Sequence, residues 1–164
     1  MHILLATDAD WIVDEVVNAL GGTDDTFTVC RDGRVVADQV RDREPDLAVF
    51  DLQAGSMGGM AVTMSLRLDE SSGALPHVPV IMLLDRAADV HLARRCGAEG
   101  WLIKPLDALR LKRAAKAVVN GGVYTEGVPV DAAPVESMIG EAGELAEARA
   151  DDAESTEEEP ANAG

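Results

Sequence analysis

The sequence predicts an α/β fold, a five-stranded doubly wound parallel sheet in which strand and helix alternate five times. Three observations predict it. Short apolar runs of strand length alternate with amphipathic segments of helix length along residues 1–125. The runs are apolar almost throughout, as strands covered on both faces are, and do not alternate apolar with polar. Nearly all the long apolar residues lie before residue 125, and aromatics make up only 3 %, so the core is built from Val, Leu, Ile, Met and Ala.

The elements follow in order. "HILLAT" reads as a buried strand. "DWIVDEVVNAL" places Ile12, Val13, Val16 and Leu20 on one helical face, and "GG" stops it. "TFTVC" is the second strand, and "GRVVADQVRDR" a helix with Val35, Val36 and Val40 inward. "DLAVF" is the third strand and "GMAVTMSLRLDE" the third helix. "VPVIMLL" is the fourth strand, followed by a short helix, "ADVHLARRCG", closed by Gly97. "GWLI" is the fifth strand, and "ALRLKRAAKAVVN" the last helix, with Leu111, Ala114 and Val118 on one face. No internal repeat exceeds this rhythm.

In open sheets of this kind, ligands gather outside the carboxyl ends of the strands. Thr7, Asp8 and Asp10 follow the first strand and Asp51 ends the third. Leu84 and Asp85 end the fourth, and Lys104 and Pro105 the fifth. Carboxylates and one ammonium at one edge suit phosphoryl chemistry. A carboxylate can attack a phosphoryl group to give an acyl phosphate. Repulsion between the anions is the obstacle, and a magnesium ion with a fixed lysine removes it. Asp8 and Asp51 are the candidate magnesium ligands, and Lys104 the fixed charge.

"ILLATDAD", "PDLAVFDLQAGSMGGM", "VPVIMLL" and "GAEGWLIKPLD" occur in that order. Over about residues 1–122 the chain resembles a response-regulator receiver domain, and within that family an atypical stand-alone receiver of actinobacterial type. The resemblance implies the receiver, flavodoxin-like fold. It implies that Asp51 is the phosphoacceptor, Asp8 a magnesium ligand together with Asp51, and Lys104 the phosphoryl-contacting lysine. It also implies a cis bond before Pro105. Several positions depart from the family pattern. Thr7 stands where an acid is usual, Leu84 where a Ser or Thr is usual, and Trp101 where a switch Tyr or Phe is usual. Gly55 and the Gly58–Gly59 pair stand in the loop after the acceptor, where the family has Pro and then Asp-Gly. With Leu84, the hydroxyl that would bond a phosphoryl oxygen is gone. One missing acid implies weak magnesium binding.

Plainer roles exist for each residue. Asp8 is also a fitting turn former. Asp10 reads first as the N-cap of a helix beginning at Trp11, and second as a replacement for the acid missing at position 7. Trp101 reads as packing more than as a working switch. His2, His77 and His91 have no ligand spacing and read as surface or packing residues. Arg94, Arg95, Arg110, Lys112, Arg113 and Lys116 read as solvated helix faces, or else as a docking patch.

Residues 126–164 hold twelve acids and one base, Arg149, so they carry −11 of the total −16 and leave −5 for residues 1–125. The predicted division is therefore a receiver domain over residues 1–124 and an acidic, disordered tail over 125–164, with a short helix conceivable around Val135–Leu145. Such acidity argues against nucleic acid as a partner. No stretch is long and apolar enough for a membrane span, and no secretory signal is present, so the reading is cytoplasmic. Cys30 and Cys96 read as small buried hydrophobes without zinc spacing.

The leading expectation is a single-domain response regulator in phosphorelay signalling, not an enzyme, whose output is protein–protein contact. Its expected partners are proteins, a histidine kinase among them, with a weak homodimer as a further option. One alternative is a phosphorylation-independent pseudo-receiver that serves as a binding scaffold. Another is a haloacid-dehalogenase-like phosphatase with Asp8 as nucleophile and Asp10 as acid/base, against which Trp11 and the lack of a cap domain count.

Overall fold

The computed structural model describes residues 1–127. Five strands, β1 (His2–Ala6), β2 (Thr26–Cys30), β3 (Leu47–Asp51), β4 (Val80–Leu84) and β5 (Gly100–Ile103), form one parallel sheet in the order β2-β1-β3-β4-β5. The helices are α1 (Asp10–Leu20), α2 (Val36–Asp42), α3 (Gly59–Ser71), α4 (Val90–Arg95) and α5 (Ala108–Val119). Short 3₁₀ turns, Gly33–Val35 and Ala87–Asp89, lead into α2 and α4.

The apolar runs are explained by two-sided burial. Ile3, Leu5, Val49, Ile81 and Leu83 pack with Ile12 and Val16 of α1 and Leu111 and Val118 of α5. Their neighbours Leu4, Ala48 and Phe50 pack on the opposite face with Val36, Val40, Val62 and Leu66 of α2 and α3. Met82 and Leu84 form a third cluster with Val90, Ala93 and Trp101. Each fully buried aliphatic side chain contributes about 1.5–3 kcal/mol relative to exposure. Gly97 closes the short α4 with φ of 79°, a left-handed conformation that suits glycine.

Some local expectations are corrected. Val35 is 43 % exposed, whereas Val36 and Val40 are buried. It belongs to the 3₁₀ turn, whose tighter winding takes it out of phase with the helical face. Asp10 is not a cap. It is the first residue of α1; the cap position is Ala9, without a side-chain hydrogen bond. The Asp10 carboxylate instead accepts from Arg31 at 2.5 Å. Of the two roles expected for His2, surface or packing, it takes the packing one: it is buried, its Nε2 2.9 Å from the Thr28 hydroxyl oxygen.

Residues just past Val119 return to the sheet. Tyr124 pairs with Glu99 and Trp101 along the outer edge of β5: its N–H donates to the Glu99 carbonyl at 3.1 Å, and its carbonyl accepts from Trp101 N–H at 2.9 Å. Glu126 follows onto the same edge and accepts from Ile103 N–H at 3.0 Å. The packed segment thus reaches into what the sequence assigns to the acidic tail. The expected helix around Val135–Leu145 lies outside the described residues. No helix among the described residues is long and apolar enough to cross a membrane.

Candidate functional site

The chain leaves β1 toward β2 on one side, while β3 leads to β4 on the other. The carboxyl ends of β1 and β3 therefore flank the switch point where such sheets open a crevice. Thr7 and Asp8 follow β1 there, and Asp51 is the last residue of β3. Lys104 follows β5 and reaches back across β4.

Asp51 is buried, with 3 % exposure. Its charge is met on both oxygens. Oδ1 accepts from Lys104 Nζ at 2.8 Å and from Gln53 N–H at 3.2 Å; Oδ2 accepts from the Thr7 hydroxyl at 3.2 Å. A buried carboxylate is tolerable only when paired and hydrogen-bonded in this manner. Thr7 is fully buried and accepts in turn from Ala9 N–H at 3.2 Å. Where the family pattern has an acid, this chain thus has a neutral donor to Asp51.

Lys104 is held from several directions. Its backbone N–H donates to the Leu84 carbonyl at 2.8 Å, and the bond to Pro105 is cis. Its ammonium lies 5.7 Å from the Trp11 ring centroid, within cation–π range. It also donates to Asp85 Oδ1 at 3.0 Å. Burial works against the charge of Lys104, but the hydrogen bonds to Asp51 and Asp85 outweigh it and raise its pKa above the ordinary lysine value.

Asp8 is exposed, and its Oδ2 accepts from Gly55 N–H at 3.2 Å, joining the β1 end to the loop after β3. That loop returns tightly. A Cβ at Gly59 would lie 2.7 Å from the Asp51 carbonyl oxygen, and one at Gly58 2.7 Å from that of Leu52. Glycine is needed there for close backbone approach, whatever else the loop does. Leu84 is fully buried beside Met82, Val90 and Trp101. Trp101 is 5 % exposed, and its indole N–H donates to the Glu126 carbonyl at 2.8 Å. Position 101 is therefore packed and tied down. Both thiols are buried, which pushes the pKa of Cys30 and Cys96 up.

Among the described residues, no group of three His, Cys, Asp or Glu side chains has metal-binding geometry. The carboxylates that would hold a magnesium ion at this edge are Asp8 and Asp51. Magnesium commonly takes one or two carboxylates and keeps several waters, so this set fits a water-rich, weak site.

The chain matches the response regulator receiver domain over residues 3–116. It belongs to that family. This receiver is 33 % identical over 134 residues to the transcriptional regulatory protein CseB of Streptomyces coelicolor, a match that covers 77 % of this chain and 55 % of CseB. The chain thus spans about half the length of the CseB proteins it matches. It is 33 % identical over 92 residues to the polar-differentiation response regulator DivK of Brucella ovis, covering 55 % of this chain and 72 % of DivK. Among solved structures, the chemotaxis response regulator CheY4 of Vibrio cholerae shares the fold with a TM-score of 0.62 at 21 % identity, covering 71 % of this chain and 97 % of that one. The receiver domain of the sensor histidine kinase PA1611 from Pseudomonas aeruginosa, solved with magnesium in its active-site cleft, gives a TM-score of 0.61 at 22 % identity, covering 73 % of this chain and 97 % of that one.

The pocket brings Thr7, Asp51 and Lys104 of the sequence candidates into one hydrogen-bonded group, and sets Asp8 at its rim. Leu84 and the Trp101 ring lie in the apolar cluster instead. Sequence reasoning puts Asp85 at the strand-end edge without a role, and gives none to Trp11 beside Lys104 or to Glu126 at the sheet edge. Asp85 was visible as a strand-end acid, one strand from the lysine. Nothing local marks Glu126, which gains its partners only through the turn after α5. Arg110, expected as a solvated cation, instead donates to Glu126, to the Ile103 carbonyl and to the Pro105 carbonyl.

Proposed function

We propose that this receiver works in phosphorelay signal transduction, with Asp51 as phosphoacceptor and output through protein contact. The observation that carries this reading is the 2.8 Å ion pair between Lys104 and Asp51 at the buried end of β3. An Asp51 oxygen attacks phosphorus, the bond to the donor's leaving group breaks, and an acyl phosphate results. Lys104 lies where it neutralises charge gathering on the transferred group. The Thr7 hydroxyl and Gln53 N–H hold the carboxylate in place. Asp8 and Asp51 would hold a magnesium ion weakly, and the ion would add to the charge neutralisation. The donor is a phosphorylated partner such as a histidine kinase in the cytoplasm, and a weak homodimer is compatible with the reading.

The module is read as a signalling protein and not as a phosphatase. The carboxylates that share Lys104 are Asp51 and Asp85, while Asp8, which a phosphatase mechanism would need as nucleophile, lies at the rim. A second reading, a scaffold that never sees phosphate, is favoured by one observation. Leu84 is sealed in an apolar cluster and offers no hydroxyl to a phosphoryl group. Incubation with a small phosphodonor and magnesium, followed by intact-mass measurement, separates these readings. One phosphoryl adduct, absent in Asp51→Asn, is expected. Donor turnover that depends on Asp8 supports the phosphatase, and no adduct supports the scaffold.

A further inference from the structure

We propose that Asp85 is a positioning residue that holds Lys104 in the resting state and opposes the phosphoryl group, so that it limits how far the pocket charges. The inference rests on the reading of Asp51 as phosphoacceptor. Lys104 Nζ lies 2.8 Å from Asp51 Oδ1 and 3.0 Å from Asp85 Oδ1, so one ammonium serves two carboxylates. The lysine side chain is 13 % exposed and that of Asp85 40 %. The outer carboxylate is therefore partly solvated, while the shared cation is mostly enclosed.

A phosphoryl group brings a charge of roughly −1.5 to −2 and three acceptor oxygens to Asp51. Those oxygens need the ammonium that Asp85 already engages. Asp85 then acts twice. It competes for the hydrogens of Lys104, and its own charge repels the incoming group. Lys104 has three N–H donors, so it can serve both, but its neutralising charge is divided. Asp85 also aims the lysine toward Asp51. It anchors Lys104 from the β4 side while Trp11 flanks it at 5.7 Å. Replacing Asp85 by a neutral residue leaves Lys104 paired to Asp51 alone.

The test uses the full chain and its Asp85→Asn, Asp85→Ala and Asp85→Glu variants. Labelling by acetyl phosphate with magnesium is followed by intact mass, and beryllofluoride affinity is measured by titration. Asp85→Asn and Asp85→Ala are expected to raise the labelled fraction and the beryllofluoride affinity about two- to fivefold, the scale of a partly exposed charge interaction. Asp85→Glu, which keeps the charge, should stay near the parent. The gain should shrink as salt rises toward 1 M, where the screening length is about 3 Å. A purely structural role for Asp85 would show neither the charge rescue nor the salt dependence. Equal labelling and affinity in the parent and the neutral variants overturn the proposal while leaving the acceptor reading intact. No labelling in any chain overturns both.

Discussion

Two ion clusters lie at the carboxyl end of β5, and they are built on opposite balances of charge. In the pocket, Lys104 faces two carboxylates, Asp51 and Asp85, with Asp8 at the rim. At the sheet edge, the Arg110 guanidinium faces one carboxylate, Glu126. The remaining contacts there are neutral. Arg110 also donates to the carbonyls of Ile103 and Pro105, and Glu126 accepts from Ile103 N–H and from the Tyr124 hydroxyl. A balanced, multiply bonded pair has nothing left over for a ligand, and it stabilises the fold. A pocket with surplus carboxylate attracts a cation and depends on its single lysine. The surplus of carboxylate marks the first cluster as a site of chemistry, and the balance of the second marks it as architecture.

The largest effect should come from the pocket. Lys104→Ala removes the cation beside Asp51, and labelling by a small phosphodonor should slow on the order of a hundredfold, the scale for losing one preorganised charge donor. Labelling rates followed by intact mass check it. An unchanged rate would mean that the lysine serves only the fold.

The edge should behave in the opposite way. Glu126→Gln should cost about 2 kcal/mol in chemical denaturation, the scale of hydrogen bonds to charged groups, and leave labelling unchanged. Its pH dependence follows from the direction of the shift. Burial pushes the pKa of Glu126 up, but the hydrogen bonds from Arg110 and Ile103 N–H outweigh it, so the folded value lies below the ordinary 4.5. The stability it contributes is therefore complete above the ordinary value and is lost as pH falls through the depressed one. The difference between parent and variant should be constant near neutral pH and fade in acid. A difference that grows in acid would contradict the assignment.

A smaller effect is expected at Thr7. Thr7→Asp adds a third carboxylate and should tighten magnesium binding about tenfold by calorimetric titration. The same change sets a buried charge against Asp51 and should lower stability without magnesium. If the affinity does not change, Asp8 and Asp51 are not the ligands.

The smallest effect should be the switch itself. A ligand shifts two states only through contacts that differ between them. Leu84 is fully buried and has no hydroxyl, and Trp101 is bonded to the Glu126 carbonyl. Hydrogen exchange over residues 85–104 should hardly change on adding beryllofluoride with magnesium. A large change there would show that another contact carries the signal.

The difference between the two clusters also explains what was legible beforehand. The sheet and its strand ends follow from local patterns: Asp51 closes an apolar run, and Lys104 precedes Pro105 after another. The βα rhythm then forces their ends to one edge, which is why Asp51 and Lys104 could be paired from sequence. Val35 was misplaced because a 3₁₀ turn changes the period without changing composition. Asp10 was misread because an acid at the start of a helix suits both the cap and the first turn, and only Ala9's extended backbone decides between them. Glu126 was assigned to the tail because its surroundings in sequence are acidic. Its partners Ile103 and Arg110 lie 23 and 16 residues away.

The most direct measurement asks whether Asp51 is the carboxylate that takes the phosphoryl group. After incubation with acetyl phosphate and magnesium, borohydride reduces an aspartyl phosphate to homoserine, which peptide mapping locates. Homoserine is expected at position 51 and nowhere else, and is lost when the donor is omitted. Homoserine at position 8, or an unmodified peptide containing Asp51 under conditions that label another receiver, would contradict it.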